Sequence, residues 1–354
     1  MDAGGKLLTF GRDMGWDCLG QGEGVHVSAV PRLVAGLGGV RVRTVAVGYC
    51  HTLACSDEGV TCSFGRGEKG QLGHGNVASQ HTPRVIEALQ GVHISVVAAG
   101  EWHSLALSRE GKLYSFGFGH HGQLGHGDTA EQLTPRLVAE LNGVCISAVA
   151  AGRLHSLALS KAVGVYSFGS SAYGQLGHAS QADQPTPRLI ASLQGVRVSS
   201  LAAGGEHSLV VSTAGKLYSF GRGGSGALGH GDRAEQPTPR LVAALQGVRI
   251  MAVAAGESHS LALSKAGEIY SFGNGTYGRL GHGGQTNQLT PRAIAGLQGL
   301  CMRSVVAGYS TSLTVTTDGE AYGWGTGSSN LMFGLELTEP QLVPLKCAEL
   351  RLLA

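Results

Sequence analysis

Charge and aromatic surface are both scarce in this 354-residue chain: charged residues make up 14% and aromatic residues 6%. The net charge is +2, and no basic tail is present. The electrostatic footprint of a nucleic-acid binder is therefore missing. Long apolar runs are missing too. No stretch approaches the ~18 apolar residues that a membrane-spanning helix needs. The opening MDAGGKLLTFG has no charged leader followed by an apolar run, so no secretory signal is read from it. The seven cysteines (Cys18, Cys50, Cys55, Cys62, Cys145, Cys301 and Cys347) are odd in number and irregular in spacing. They predict a reduced, intracellular protein, in the cytoplasm or the nucleus, rather than a disulfide framework. Cys50, Cys55 and Cys62 lie close together but lack the paired spacing of a zinc site, so no metal is expected. There is no Ser-His-Asp order, no H-E-x-x-H and no P-loop, and neither catalysis nor a cofactor is predicted.

Glycine is what the chain has in excess, 58 residues of it. Its spacing is not that of collagen, and so much glycine in an otherwise apolar chain points to many tight turns. A stretch such as KLYSFGRGGSGALGHGD, from residue 216, poses the question these glycines raise. It contains a G-x-G spacing after a strand, but it does not open a helix as a dinucleotide fingerprint must. The period decides the matter. The Phe of Phe-Gly falls at Phe10, Phe64, Phe116, Phe168, Phe220 and Phe272, with Trp324 next in line; after the first step the spacing is 52 residues. Pro31, Pro83, Pro135, Pro187, Pro239 and Pro291 keep the same step, as do His51, His103, His155, His207 and His259. A second histidine column runs His74, His126, His178, His230, His282. A loop present in every repeat is architecture rather than chemistry.

Each unit reads as four short strands: a small-residue strand such as VSSLAAG, a strand such as HSLVVS, a Phe-Gly strand such as KLYSF, and TPRLV. Turn residues punctuate them, and Pro confines the last to a sheet edge. Only the short VAALQG segments carry any helical signal. Units of this length and strand count predict an all-β, seven-bladed β-propeller. The expected organisation is a single domain, 1–354, with repeats beginning near 43, 95, 147, 199, 251 and 303. The terminal blade is then built from 1–42 together with 345–354. The HSLALS-type strand occurs only six times, so that last blade is expected to be incomplete. It is expected to be clasped by pairing of Leu7–Phe10 with roughly Glu349–Ala354.

Units such as VAAGEWHSLALSREGKLYSFGFGHHGQLGHGD and VAAGESHSLALSKAGEIYSFGNGTYGRLGHGG resemble the repeats of the regulator-of-chromosome-condensation family. The shared pattern is a small-residue strand ending in Gly, then His-Ser, a Gly turn, Tyr-x-Phe-Gly and Gly-Gln-Leu-Gly. The resemblance spans essentially the whole chain and is specific for the fold; one fold hosts many functions. Members include an exchange factor for a small nuclear GTPase, plant ultraviolet-B photoreceptors and propellers attached to ubiquitin ligases. The photoreceptor's loops are similar in style, especially GQLGHG, but its tryptophan cluster before the repeated His is not matched. This chain has only Trp16, Trp102 and Trp324. The exchange factor uses an inserted wedge, for which the strict 52-residue steps between Phe64 and Trp324 leave no room. The resemblance implies a protein-binding scaffold, with guanine-nucleotide exchange on a small GTPase as the alternative.

If repeated positions build the scaffold, function belongs where the repeats differ. The loop before each column histidine varies, and it supplies the candidate partner-binding residues Tyr49, Glu101, Trp102, Arg153, Glu206, Glu257 and Tyr309. The loop after Phe-Gly varies too, as in Arg66 to Lys69, Phe118 to His121 and Arg222 to Ser225. Aromatic anchors mixed with Arg and Glu suit a protein interface. The expected partner is another protein, a small GTPase or a second copy of the chain; nucleic acid and membrane are not expected. His51, His103, His155, His207 and His259 are read as structural, their rings satisfying backbone groups of the tight loops. The arginines after the repeated Pro are expected to make ion pairs within their own repeat.

Overall fold

The computed structural model describes residues 4–12, 18–37, 39–326, 331–332, 335–336 and 339–351. Among them, regular structure is β-strand or single 3₁₀ turns, and no helix is long and apolar enough to cross a membrane. The chain packs as two compact units. The first holds residues up to Ser170 together with Asp183–Leu189; the second holds Ser171–Ala182 and the chain from Ile190.

The first unit opens with β1 (Leu8–Arg12) and β2 (Val27–Leu33), an antiparallel pair. A four-stranded sheet follows: β3 (Val42–Val47), β4 (His51–Ser56), β5 (Thr61–Gly65) and β6 (Gln80–Val85). The next comprises β7 (Ile94–Ala99), β8 (His103–Ser108), β9 (Leu113–Gly117) and β10 (Gln132–Leu137). The last comprises β11 (Ala148–Ala151), β12 (His155–Ser160), β13 (Gly164–Gly169) and β14 (Gln184–Leu189). In the second unit, β15 (Val198–Ala203) to β18 (Gln236–Leu241) flank β16 (His207–Ser212) and β17 (Leu217–Gly221). Then come β19 (Ile250–Ala255), β20 (His259–Ser264), β21 (Ile269–Gly273) and β22 (Gln288–Ala293). The final sheet holds β23 (Met302–Ala307), β24 (Thr311–Thr316), β25 (Glu320–Gly325) and β28 (Gln341–Arg351), with a small β26–β27 pair (Leu331–Met332, Leu335–Glu336) inserted before its last strand.

Each sheet is a meander, and its order follows from its sequence. The histidine strand is central and buried at every position of β8, β12, β16 and β20. It meets the Phe-Gly strand residue for residue, as in Ser104↔Phe116 and Leu105↔Ser115. The proline strand lies at an edge, where the missing N–H breaks no ladder on its outer side, and its register slips between Gln132 and Arg136, around Pro135. The small-residue strand is only half-buried, as in β7, because it is an edge strand with one neighbour in its sheet. The segments with weak helical signal are 3₁₀ turns such as Ala243–Leu245, and each ends in a buried Leu.

The repeated aromatic is the wedge between sheets. Phe116 packs with Leu53, Cys55, Ile86 and Leu89 of the preceding sheet, and Phe168 with Leu105, Leu107, Leu113 and Val138. Phe64, Phe116, Phe168, Phe220, Phe272 and Trp324 are all fully buried. The Gly-Gln-Leu-Gly loop lies directly on the next ring. A Cβ at Gly73, where φ is +76°, would stand 2.9 Å from Phe116. Glycine there serves both the left-handed turn and the close approach.

The column histidines join neighbouring sheets. His51 Nε2 lies 2.9 Å from Ser104 Oγ, and Ser104 Oγ donates to the Gln71 carbonyl at 2.7 Å. Because the serine proton is on that carbonyl, its lone pair receives the Nε2–H of the histidine, which fixes the tautomer. The same joint links His103 to Ser156, His207 to Ser260 and His259 to Ser312, at 2.9–3.0 Å. The partner is thus a side chain of the next sheet, not the backbone of the histidine's own loop. Burial pushes the imidazole pKa down, to about 4 for His51 and His207 and about 3 for His103 and His259. In the second column, His74, His126, His230 and His282 bond Ser63, Ser115, Ser219 and Ser271 within their own sheets at 2.8–3.0 Å. The arginine after the repeated Pro pairs locally at two sites, Arg136 with Asp128 at 3.2 Å and Arg240 with Asp232 at 3.3 Å.

The chain ends differ from the expected clasp. Gln341–Arg351 runs along β25, with Tyr322↔Lys346 and Glu320↔Arg351, so Glu349 to Arg351 belong to β28. Pro344 takes the seat of the repeated proline in that strand, so the segment 345–351 completes the β23–β25 sheet. Residues 352–354 lie outside the described residues. Among the described residues, β1 pairs with β2 alone.

Candidate protein-interaction surface

The variable loop before each histidine strand and the one after the Phe-Gly strand meet at one end of a sheet. The backbone closes them together: Arg66 N donates to Cys50 O at 2.8 Å, and Phe118 N to Trp102 O at 2.9 Å. The tight bend depends on Gly48 and its equivalents. A Cβ at Gly48 would stand 2.4 Å from Gly100 O and 2.5 Å from the His51 ring; one at Gly100 would meet Gly152 O and the His103 ring as closely. In the first and last of these loops the residue two before the strand, Tyr49 or Tyr309, therefore stands outward, while Cys50, Ser310 and the His51 ring are buried.

In the first unit, Tyr49 and Trp102 stand 6.0 Å apart between ring centroids, tilted by 52°. Tyr49 is 57% exposed. The Arg66 guanidinium lies 4.8 Å from the Trp102 ring centroid and also pairs with Glu68. Cations over an indole face are attracted by its quadrupole. Beside them, Arg153 Nε donates to Glu101 Oε2 at 2.7 Å. The pair is partly exposed and worth little to stability, about 0–1 kcal/mol. Of the sequence candidates, the structure thus brings Tyr49 to Trp102 and Glu101 to Arg153. Further along, Lys69 pairs with Glu131 at 3.3 Å and lies 5.7 Å from the Phe118 ring; His121 Nδ1 is 2.8 Å from Asp183. Cys50, next to Tyr49, is buried, and burial pushes its thiol up to about 12, so it stays protonated.

In the second unit, Glu206 pairs with Arg222, whose guanidinium lies 4.7 Å from the Tyr173 ring. Glu206, Arg222, Ser225, Glu257, Asn274 and Asn287 line a polar hollow of about 320 Å³. Tyr309 is 59% exposed, and its carbonyl accepts from Arg279 Nη1 at 3.1 Å. The seven candidates occupy equivalent loop positions; in the first unit Tyr49 meets Trp102 and Glu101 meets Arg153, and in the second Glu206 and Glu257 line one hollow.

Arg279 was not legible as a site residue. It sits where other repeats have Gln71, Gln123 and Gln175, and it is buried, donating also to Thr276 O at 2.9 Å. The break in the glutamine column was the available signal. Arg66 was visible only as one of a variable loop; its stacking on Trp102 joins the two loop sets.

A rigid frame of repeated β-meanders, carrying aromatic and charged variation at the strand ends, defines a class: the seven-bladed β-propellers. The family follows from comparison with known proteins. A model described as RCC1-like domain matches residues 1–254, and Regulator of chromosome condensation (RCC1) repeat models match 251–279 and 266–315. The chain belongs to the RCC1-repeat family. It is 36% identical to the ultraviolet-B receptor UVR8 of Arabidopsis thaliana, over 85% of this chain and 67% of that protein. It is 33% identical to human Protein RCC2, over 91% of this chain and 67% of RCC2. It is 36% identical to the E3 ubiquitin-protein ligase HERC2 of Homo sapiens, over 99% of this chain but only 7% of HERC2. Among solved structures, Prp20p from Saccharomyces cerevisiae superposes with a TM-score of 0.85 at 28% identity, covering 97% of this chain and 86% of that one.

Proposed function

We propose that the protein is a non-enzymatic interaction scaffold, intracellular, that binds another protein through the variable loops at one end of its sheets. The observation carrying this reading is the Tyr49–Trp102–Arg66 group beside the Glu101–Arg153 pair. It combines a half-exposed indole, an exposed phenol and two guanidinium groups on a rigid frame. Trp, Tyr and Arg dominate binding hot spots because they bring large contact area with few rotatable bonds and a polar tip. The bonds of His51, His103, His207 and His259 to serines of the next sheet support a structural rather than a catalytic role for this column. Neither a cofactor nor a metal is needed for this role. The test is quantitative capture of partners from the native cell by wild-type protein and by Trp102→Ala; the scaffold reading requires a partner whose retention depends on Trp102.

Guanine-nucleotide exchange on a small GTPase is the second reading. It is favoured by the likeness to Prp20p, whose structure is described together with its binding properties to Gsp1p and histones. A nucleotide-release assay against a panel of small GTPases separates the two: accelerated release supports exchange, and binding without release supports the scaffold.

A further inference from the structure

The Gly-Gln-Leu-Gly loop carries a glutamine in three repeats, and each glutamine does the same task. Gln71 Oε1 accepts from Lys69 N at 2.8 Å, Gln123 Oε1 from His121 N at 3.0 Å, and Gln175 Oε1 from Tyr173 N at 2.9 Å. All three side chains are buried. Where Arg279 replaces the glutamine in the column, another glutamine takes over: Gln285 Oε1 accepts from Tyr277 N at 3.0 Å. A primary amide thus meets this loop N–H in four repeats, since a backbone donor held in a tight loop needs an acceptor.

The remaining repeat, around β17, departs from the rule. Its column residue is Ala227, which offers the Ser225 N–H no acceptor. Arg233 stands where Gln285 does in the next repeat; a guanidinium accepts nothing, and Arg233 Nη1 donates instead to Gly224 O at 3.1 Å. Among the described residues, none accepts from Ser225 N. Ser225 and Ala227 line the polar hollow of about 320 Å³ described above, and the short alanine side chain leaves it open. Its volume is within the range of small-ligand sites, about 300–1,000 Å³. Glu206 lines it too, at the position of Cys50, against which the Gln71 amide lies in the first repeat. A carboxylate thus stands where an amide nitrogen of that repeat finds a thiol. The charges around the hollow are already balanced. Glu206 pairs with Arg222, and Glu257 acts on the buried Arg279 guanidinium, whose pKa burial lowers and Glu257 helps to restore. A neutral group with an acceptor and two donors completes these contacts. An ammonium or guanidinium has no acceptor for the Ser225 N–H, and a carboxylate is repelled by Glu206.

We propose that this hollow is a binding site for a primary carboxamide on a short stem: a glutamine, free or displayed by another polypeptide. The amide oxygen accepts the Ser225 N–H, as Gln71 Oε1 accepts that of Lys69, and the amide nitrogen donates to the Glu206 carboxylate. Selectivity follows because a ligand without the amide leaves both protein groups unpaired. The site shares no residue with the Tyr49–Trp102–Arg66 group, and its test uses no captured partner, so the two readings fail separately.

The test titrates the isotope-labelled full chain with two probes, free L-glutamine and acetyl-Gly-Gln-Gly-N-methylamide, and follows the Ser225 N–H resonance. The expected result is saturable one-to-one binding of at least one probe, weakened at least about tenfold when its glutamine is replaced by glutamate. Binding of the free amino acid alone identifies a metabolite as the ligand, and binding of the peptide alone a partner's side chain. Binding of both shows that the amide group is the determinant. Ala227→Gln places the repeat's own residue in the hollow and should abolish binding without lowering the thermal midpoint. If Ala227→Gln fails to fold, the comparison of glutamine and glutamate probes on the wild type decides alone. Absence of binding by both probes, including because the chain's own residues fill the hollow, would overturn the proposal. So would equal affinity for the glutamate probes, or undiminished binding to a folded Ala227→Gln.

Discussion

His51 and Ser104 stand 53 residues apart in sequence and 2.9 Å apart in space, donor to acceptor, across the boundary between two sheets. The joint is fully buried and recurs between His103 and Ser156, His207 and Ser260, and His259 and Ser312 at no more than 3.0 Å. It makes the repeats cooperative, because each histidine is useful only when the next sheet is in place. Sheet-to-sheet packing around the Phe wedge supplies the bulk of the stability. The joint supplies register.

Removing one ring should therefore loosen the frame without touching the loops. His103→Ala leaves the Ser156 hydroxyl without its donor and opens a small cavity. It is expected to destabilise by about 1–3 kcal/mol, read from the urea midpoint, with Tyr49–Trp102 fluorescence unchanged before unfolding. An unaltered midpoint would show that the joint is idle.

The same histidines predict a pH dependence. Their folded pKa values, about 3 to 4, lie below the ordinary value of 6.5 because burial disfavours the cation. The unfolded chain then takes up protons that the folded chain refuses. Stability is complete above pH 6.5 and falls as the pH drops toward 4, each histidine contributing up to about 1.4 kcal/mol per pH unit. Urea midpoints at pH 7.5, 6 and 5 should decline steadily, with net proton uptake on unfolding. A flat profile across this window would contradict the burial of neutral rings.

Gly100→Ala tests the close approach at the bend. Its Cβ would meet Gly152 O at 2.4 Å and the His103 ring. Backbone cannot yield as a flexible side chain does, so a loss of at least ~1–3 kcal/mol is expected, measured by thermal unfolding. Gly91→Ala, where nothing lies within 4 Å but φ is +79°, should cost less.

Much of the fold was legible because period replaces alignment. Phe116, Pro135 and His103 recur at one spacing, and each spacing dictated a strand, an edge or a buried position. What stayed hidden was contact between repeats. Nothing in HSLALS says that its histidine bonds the serine of the following copy, since that distance is set by how sheets stack. The strand around Pro344 was missed because its arginine is absent and the loop before it lacks Gly-Gln-Leu-Gly. At the surface, composition found Tyr49 and Trp102, but only geometry could add Arg66, whose guanidinium lies over the indole. Arg279 escaped because a buried arginine looks, in sequence, like any other loop cation.

Trp102→Ala should spare the frame, since the indole is half-exposed and stands outside the sheet cores. Its thermal midpoint is expected to stay within about 2–4 °C of wild type, on the scale of a 1 kcal/mol surface change in a chain of this size. A large drop would place the indole in the frame instead.

The measurement that reaches the central claim is a parallel partner capture from the native cell by the wild type, Trp102→Ala and Val163→Ala. The last alters an exposed side chain in the turn between β12 and β13. If function lies in the varied loops on a repeated frame, Trp102→Ala loses its specific partner by at least about tenfold, a hot-spot loss of ~2 kcal/mol or more, while Val163→Ala retains it. Full retention by a folded Trp102→Ala, or equal loss in both variants, would contradict the account.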